Sequence, residues 1–265
     1  LPSMALLSRR YSHSELVQAQ PHMLGIKLYP AGITTGSEKG VRQISDCGAT
    51  FAAMEELNIP LLVHGETNGF VMDREEEFLS IYQWLADSFP KLHIIMEHIT
   101  TAAAVAFVDR YENVSATVTL HHLMITLDDV LGGLMHPHLF CKPIAKRPED
   151  RMALRQAVFS GHPRIMYGSD SAPHPQDKKE SSGCAAGIFT APHALPLLAQ
   201  IFEEAGALER LQSFVSDIAC ARYKLTPPEK TVRLVKAPWQ VPERYTDVIP
   251  FMAGKTLLWS MKILK

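Results

Sequence analysis

The 265-residue chain has few cysteines, no large excess of positive or negative charge and no long apolar run. Each of these absences excludes a class of protein. The spacing of Cys47, Cys141, Cys184 and Cys220 contains no C-x-x-C pair. It therefore predicts neither a disulfide framework nor a structural zinc site, and sparse cysteine suits a reducing compartment, the cytoplasm. A formal charge of −2 gives no sign of a nucleic-acid or acidic-membrane partner. No apolar run approaches the roughly 20 residues that span a bilayer.

Glycine-rich phosphate-binding motifs are also missing. Neither G-x-G-x-x-G nor G-x-x-x-x-G-K-[ST] occurs, which removes support for a nucleotide-binding doubly wound fold. What is present is ordinary for a globular protein, with 46% apolar and 20% charged residues. The length is enough for one large α/β domain, and α/β barrels often reach it as a single domain.

Strand-like apolar runs alternate with helical patterns along most of the chain. The alternation predicts parallel βαβ units, and we count about six strands. The strand-like runs are 4–8, 25–30, 61–66, 93–98, 115–122 and 165–172, and the helical patterns are 45–58, 73–89, 101–111 and 151–160. We expect an α/β fold, a partial (β/α)₈ barrel over 1–190, followed by helices and a strand-rich tail over 191–265. Without a low-complexity linker, residues 1–265 are predicted to form one domain.

Four of the runs place a metal ligand or a proton carrier at or near their ends. Lys27 lies in GIKLYPAG, His64 in LLVHGE and His98 in IIMEHITT, while YGSDSAPH carries Asp170 and His174. Polar groups at the carboxyl ends of several parallel strands are what the active site of a (β/α)₈ barrel requires. The sequence therefore indicates a metal-dependent hydrolase.

Each of these residues also has a simpler interpretation. Lys27 lies between Ile26 and Leu28, where a buried ammonium is costly unless it is paired or loses its charge. It either reacts with CO₂ to give a metal-bridging carbamate, or packs its stem and extends its head to water. His64 and His98 share strand faces with aliphatic residues, and each is either a zinc ligand or a hydrogen-bonded core residue.

Asp170 follows a strand, and such an acid can bind metal, act as a base or cap a helix. A helical turn after it would place His174 beside it.

Other histidines are less informative. His136 and His138 form a His-Pro-His in a loop, where we do not expect metal, and His121 and His122 follow a strand with their role open.

The segments KLYPAG-ITT, PLLVHGE, EHITT, FCKPIAK, GSDSAPHP and IPFMAG together resemble dihydroorotases of the shorter, monofunctional bacterial and fungal type. The resemblance runs from about residue 23 to the C-terminus, and the segments occur in the family's order. It implies a (β/α)₈ barrel of the amidohydrolase superfamily that binds two zinc ions. The implied reaction is the reversible hydrolysis of L-dihydroorotate to N-carbamoyl-L-aspartate in pyrimidine biosynthesis.

The resemblance also implies roles for individual residues. Lys27 would be the carbamylated bridging lysine and His64 and His98 zinc ligands, while Asp170 would bind zinc and carry the proton. The residues implied for substrate binding are His174, the backbone of Lys142, Ala186 and Gly187, and those implied for a mobile loop are Thr34 and Thr35. A small-molecule substrate and a homodimer are implied as partners.

One part of the family pattern has no counterpart here. The strand with His-x-His-x-Arg and the Asn after a second strand are not found, and Arg9, Arg10 and His13 do not fit that motif. We therefore expect the first two βα units to be absent, and residues 1–265 alone to fold poorly and show no turnover. Three hypotheses follow: an incomplete sequence of an active dihydroorotase, a truncated inactive relative, or a related cyclic-amide hydrolase.

Overall fold

The computed structural model describes residues 3–6, 10–33, 37–227 and 229–264, with the backbone alone described for Ile263 and Leu264. They form two compact units, Leu1–Thr117 and Val118–Lys265. The first unit alternates strands and helices as the sequence predicts. Its elements are β1 (Met4–Leu6), α1 (His13–Ala19), β2 (Ile26–Leu28), α2 (Gly48–Glu56), β3 (Leu61–Val63), α3 (Arg74–Ser88), β4 (Ile94–Met96), α4 (Ala102–Arg110) and β5 (Val114–Val118).

The strands of the first unit are parallel and follow one another in chain order across the sheet. Lys27 of β2 is in register with Ala5 of β1 on one side and with Leu62 of β3 on the other. Next along the sheet, Ile95 of β4 is in register with Leu62 and with Ser115 of β5. Because all these strands run the same way, their carboxyl ends lie at one edge of the sheet.

Strands β2 to β5 are buried along their whole length. Such continuous burial is typical of parallel sheets covered on both faces, and it explains why the strands read as nearly unbroken apolar runs. The helices have one buried side, as with Phe78, Tyr82 and Leu85 of α3. This unit therefore has an apolar core beneath the strand ends.

The second unit has one further strand of the series, β6 (Ile165–Tyr167), and then helices and two antiparallel strand pairs. Val118, the last residue of β5, accepts a hydrogen bond from the N–H of Gly168 just after β6. The helices of this unit are α5 (Leu127–Leu131), α6 (Pro148–Ser160), α7 (Gln176–Lys179), α8 (Ala194–Glu204) and α9 (Ile218–Tyr223). In the tail, β7 (Thr231–Val235) pairs with β10 (Ser260–Leu264), and β8 (Trp239–Gln240) pairs with β9 (Thr256–Leu257).

The sequence predictions of element order are confirmed, including six strands in the parallel series and a strand-rich tail. Between 122 and 151, where the sequence predicted neither a strand nor a helix, the structure has α5 and a short 3₁₀ turn at Pro137–Leu139. Among the described residues, no helix has both the length and the apolar character that crossing a membrane requires.

Candidate metal and substrate site

Lys27 lies in the middle of β2, and only 8% of its surface is exposed. Its ammonium forms an ion pair with Glu97 and lies 4.9 Å from the centre of the Tyr29 ring. The sequence argument required either a partner or loss of the charge, and in this structure Glu97 supplies a partner. Glu97 directly follows β4 and precedes His98, so the lysine is tied to the strand end that carries the second histidine.

His64 and His98 come together at the ends of neighbouring strands. His64 Nδ1 lies 3.1 Å from His98 Nε2, and both residues are buried. Two nitrogens bound to one tetrahedral zinc at about 2.05 Å each would be about 3.3 Å apart. The two imidazoles therefore fit a shared metal ion. His64 Nε2 lies 2.7 Å from Glu66 Oε2, an outer contact of the kind that fixes the tautomer of a metal-binding histidine.

His98 reaches its position through an unusual backbone conformation. Its φ is +44°, a region that residues with a side chain rarely adopt. β4 ends at Met96, so the alternation of faces that sequence reasoning extended to His98 stops two residues earlier. The His98 N–H donates to Thr117 Oγ1 at 2.7 Å, which satisfies the turned backbone. Strained backbone of this kind is concentrated at functional sites.

Glu75 holds the segment that follows His98, and sequence reasoning missed it. Its carboxylate is buried and accepts hydrogen bonds from the N–H and hydroxyl of both Thr100 and Thr101, at 2.7 to 3.0 Å. Glu75 is one of three acidic residues in the first turn of α3, where the helix dipole favours negative charge. The structure shows that this one also fixes the EHITT segment, while Thr101 accepts the Ala104 N–H as the N-cap of α4.

The residue after His64 is also constrained. A Cβ at Gly65 would lie 2.4 Å from the Tyr82 hydroxyl, so the HGE segment accepts only glycine there. That hydroxyl donates to the Val63 carbonyl at 3.1 Å. Burial raises the pKa of Tyr82 well above its usual value, with Glu75 and Glu66 adding to the shift, so the phenol stays protonated.

In the second unit, Asp170 and His174 lie in irregular backbone. Asp170 has a φ of +38°, and α7 begins only at Gln176, with Pro175 before it. The interpretation of Asp170 as a helix N-cap is therefore wrong. The helical turn that would bring His174 beside Asp170 is wrong too, because 170–175, all described, contain no helix. Instead, His174 Nε2 donates to the Ala186 carbonyl at 3.1 Å.

Ala186 and Gly187 lie against His174, so three of the residues implied for substrate binding are in contact. Gly187 has a φ of +153°, and a Cβ there would lie 2.9 Å from His174 Cδ2 and 2.5 Å from Ala172 Cβ. The Gly187 N–H donates to the Phe140 carbonyl at 2.9 Å, which ties this turn to the segment containing Lys142. The implied loop residues Thr34 and Thr35 lie outside the described residues.

Lys179 fixes the same turn, and sequence reasoning missed it as well. Its ammonium is buried and donates to the carbonyls of Phe140, Ala185 and Gly187, each at 2.8 Å. Burial lowers the pKa of Lys179 from its ordinary value. One cation therefore joins the segment before Lys142 to the turn that contacts His174.

A second group of side chains with possible metal-ligand atoms was not predicted from the sequence. His121, His122 and Cys141 are all buried, and their ligand atoms lie within 4.8 Å of one another. Burial, with a smaller contribution from His122, lowers the pKa of His121 well below its usual value. Cysteine spacing in the sequence excluded a zinc site, but spacing does not show that a cysteine meets a His-His pair 19 residues earlier.

Comparison with known proteins identifies the family of this chain. The amidohydrolase family model matches residues 17–205. A dihydroorotase of Helicobacter hepaticus is 46% identical over 257 residues, which cover 94% of this chain and 75% of that protein. The crystal structure of dihydroorotase from Campylobacter jejuni matches with a TM-score of 0.91 and 51% identity, covering 98% of this chain and 77% of that one.

A dihydroorotase of Saccharomyces cerevisiae, solved in complex with 5-fluoroorotic acid, matches with a TM-score of 0.92 and 37% identity. That match covers 98% of this chain and 79% of the yeast protein. The α/β fold expected from the sequence, that of an amidohydrolase (β/α)₈ barrel, is thereby confirmed. The amidohydrolase match over most of the chain, together with these identities, shows that the chain belongs to the dihydroorotase family.

Proposed function

We propose that this chain carries the zinc-dependent, reversible hydrolysis of L-dihydroorotate to N-carbamoyl-L-aspartate, with Lys27, His64 and His98 as metal ligands. The supporting observation is the 3.1 Å separation of the two imidazole nitrogens at the ends of adjacent parallel strands. The dihydroorotase family supplies the substrate class, and the donor set of nitrogen and oxygen atoms suits zinc.

Lys27 is proposed to carry a carbamate derived from CO₂. An ammonium must first lose a proton, then its nitrogen forms a bond to the carbon of CO₂, and a second proton leaves. Glu97 is the carboxylate beside that nitrogen and is suited to take the first proton. The carbamate would add two oxygen donors beside the two imidazoles, and a ligand with two oxygens is suited to hold more than one metal ion.

Bound zinc would supply Lewis-acid activation of water and of the ring carbonyl. Asp170 is proposed both to bind zinc and to take a proton from the attacking water and pass it to the ring nitrogen as the amide bond breaks. In the direction of ring closure, Asp170 accepts the proton from that nitrogen. His174, the Lys142 backbone, Ala186 and Gly187 are proposed to hold the substrate, and Thr34 and Thr35 to exclude water from it.

The remaining parts of the proposal are a homodimer, a cytoplasmic location and the reaction's place in pyrimidine synthesis. Two alternatives stay open from the sequence: a catalytically inactive dihydroorotase-like protein, and a related cyclic-amide hydrolase. The family match favours dihydroorotate over other cyclic amides, since this chain is 46% identical to a dihydroorotase.

The test begins with the metal. Zinc content is measured by mass spectrometry on the purified chain and on His64→Ala and His98→Ala, with His13→Ala as the matched control because His13 is exposed. We expect both site variants to contain less zinc than the unmodified chain, and His13→Ala to contain the same amount. Equal zinc in all four proteins would overturn the assignment of His64 and His98.

Turnover of L-dihydroorotate is then assayed on the 265-residue chain and on the chain preceded by the N-terminal segment of the Campylobacter relative. We expect turnover in the extended form and its loss in Asp170→Asn. A folded, zinc-containing extended form without turnover would contradict the proposed reaction. The expectation that residues 1–265 alone are inactive stays a prediction, which the first of these assays tests.

A further inference from the structure

His121 is a buried histidine whose position nothing in the proposed reaction explains. It is 0% exposed, and among the described residues neither of its ring nitrogens has a hydrogen-bond partner. A buried polar group without a partner costs about 1–3 kcal/mol, so a fold retains one only where something else compensates. A bound metal ion would satisfy one of the nitrogens.

The neighbours of His121 are two further metal ligands. The His122 ring is 4.5 Å from the His121 ring, centre to centre, and Cys141 Sγ lies 3.5 Å from His122 Nε2. A sulfur at about 2.3 Å and a nitrogen at about 2.05 Å from one tetrahedral zinc would be about 3.6 Å apart. The observed distance therefore matches two ligands of a single ion.

The surroundings of the three residues already contain the supporting contacts that such a site needs. His122 Nδ1 lies 2.8 Å from Thr119 Oγ1, so the outer nitrogen of the ring has a partner that can fix its tautomer. The Pro143 carbonyl lies 3.0 Å from His122 Nε2 and 3.3 Å from Cys141 Sγ. It is an oxygen suitably placed to be the fourth ligand.

We propose that His121, His122 and Cys141 form a closed structural Zn²⁺ site, completed by the Pro143 carbonyl. On binding, the Cys141 thiol loses its proton to solvent and the thiolate binds the ion. The proton of His122 moves from Nε2 to Nδ1, where the Thr119 hydroxyl accepts its hydrogen bond. Thiolate and imidazole together select zinc over magnesium or calcium, and complete burial leaves no open position for a substrate.

The proposed site would hold together two segments that have no regular secondary structure at this point. The turn at 119–122 follows β5, and 141–143 precedes α6. Lys142, whose backbone is proposed to bind substrate, lies between Cys141 and Pro143. The zinc would therefore keep the Lys142 backbone in place without taking part in the reaction.

Cobalt distinguishes this site from the one proposed for catalysis. The purified full chain is stripped with a chelator and titrated with Co²⁺ while its ultraviolet spectrum is recorded. A thiolate bound to Co²⁺ gives a strong near-ultraviolet charge-transfer band, and Lys27, His64, His98 and Asp170 contribute no sulfur. We expect this band to saturate at about one Co²⁺ per chain and to be lost when excess Zn²⁺ displaces the cobalt.

Cys141→Ser should abolish the band, whereas the matched control Cys47→Ser, which changes another buried cysteine, should retain it. His64→Ala should also retain it, so failure of the proposed catalytic site would not remove this signal. If Cys141→Ser does not fold, His121→Asn serves in its place and should weaken Co²⁺ binding at least tenfold. The absence of the band in the unmodified chain, or its persistence in Cys141→Ser, would overturn the proposal.

Discussion

The two units each hold an irregular segment with one buried charge, and the charges have opposite signs. In the first unit the Glu75 carboxylate accepts from the N–H and hydroxyl groups of Thr100 and Thr101. In the second unit the Lys179 ammonium donates to three carbonyls, those of Phe140, Ala185 and Gly187. The backbone has both N–H donors and carbonyl acceptors, so a buried carboxylate and a buried ammonium can each hold a loop in place.

The Glu75 contacts show how a segment keeps its shape although the candidate ligand before it, His98, has an uncommon backbone conformation. His98 and Asp170 both have positive φ, at +44° and +38°. Each such residue costs on the order of 1–3 kcal/mol, which the surrounding contacts must offset. Hydrogen bonds to a buried charge are worth about 1.5–3 kcal/mol each, so a few of them are sufficient.

Loss of the Glu75 contacts with Thr100 and Thr101 is expected to have the largest effect on stability. Glu75→Leu would leave the Thr100 and Thr101 N–H groups buried without their acceptor, which we expect to lower the free energy of unfolding by about 4 kcal/mol. Glu75→Gln keeps one acceptor oxygen and should lose about half as much. Urea denaturation followed by circular dichroism measures both.

Glu76→Leu is the matched control, because Glu76 occupies the same helical turn but is exposed. Its stability should change by no more than about 0.5 kcal/mol. If Glu75→Leu proved as mild as this control, the carboxylate would not be what holds the EHITT segment.

Loss of the Lys179 contacts with its three carbonyls is expected to have a smaller effect on stability. Lys179→Met would remove the donor from three carbonyls, but unpaired carbonyls are tolerated better than unpaired N–H groups. We therefore expect a loss of about 2–3 kcal/mol in the same denaturation experiment. Lys178→Met, at an exposed neighbouring position, should be close to neutral. A larger loss of stability in Lys179→Met than in Glu75→Leu would mean that the ammonium, not the carboxylate, makes the stronger contacts.

Gly187→Ala tests the turn that Lys179 holds. The new Cβ would lie 2.9 Å from His174 Cδ2, so the His174 ring must move away from the Ala186 carbonyl. We expect a loss of about 2 kcal/mol, and weaker substrate binding if His174 contacts the substrate as proposed. Gly133→Ala is the control, since no atom lies within 4 Å of a Cβ there. Equal stability of the two variants would mean that the turn adapts.

Much of this structure could be predicted from the sequence. The alternation of apolar runs gave the order of strands and helices, since a period of two or 3.6 residues depends on local neighbours. The motifs around Lys27, His64 and His98 predicted candidate metal ligands, and the pair His64 and His98 does meet. A helical turn between Asp170 and His174, which the spacing would have allowed, is not formed, because residue spacing alone does not make the backbone helical.

What the sequence did not reveal are contacts between residues far apart in the chain. Glu75 meets Thr100 and Thr101 some 25 residues later, and Lys179 meets Phe140 39 residues earlier. In the sequence both are ordinary charged residues, and only tertiary packing buries them. Cys141 with His121 and His122 is a third example, in which tertiary structure gives meaning to side chains that have no motif.

The smallest predicted effect is a difference between Lys179 and Glu75 in how their contributions to stability depend on pH. Burial lowers the pKa of Lys179 in the folded chain, so the unfolded chain holds the proton more tightly. The contribution of Lys179 to the free energy of unfolding is therefore largest above a pH of about 10.4, the pKa of lysine in the unfolded chain. This contribution is lost as the pH falls through the lower pKa that Lys179 has in the folded chain. The stability difference between the unmodified chain and Lys179→Met should widen slightly from pH 8 to pH 10.5, while that for Glu75→Leu should stay constant. A Lys179→Met difference that narrows over this range would mean that the three carbonyls stabilise the ammonium more than burial disfavours it.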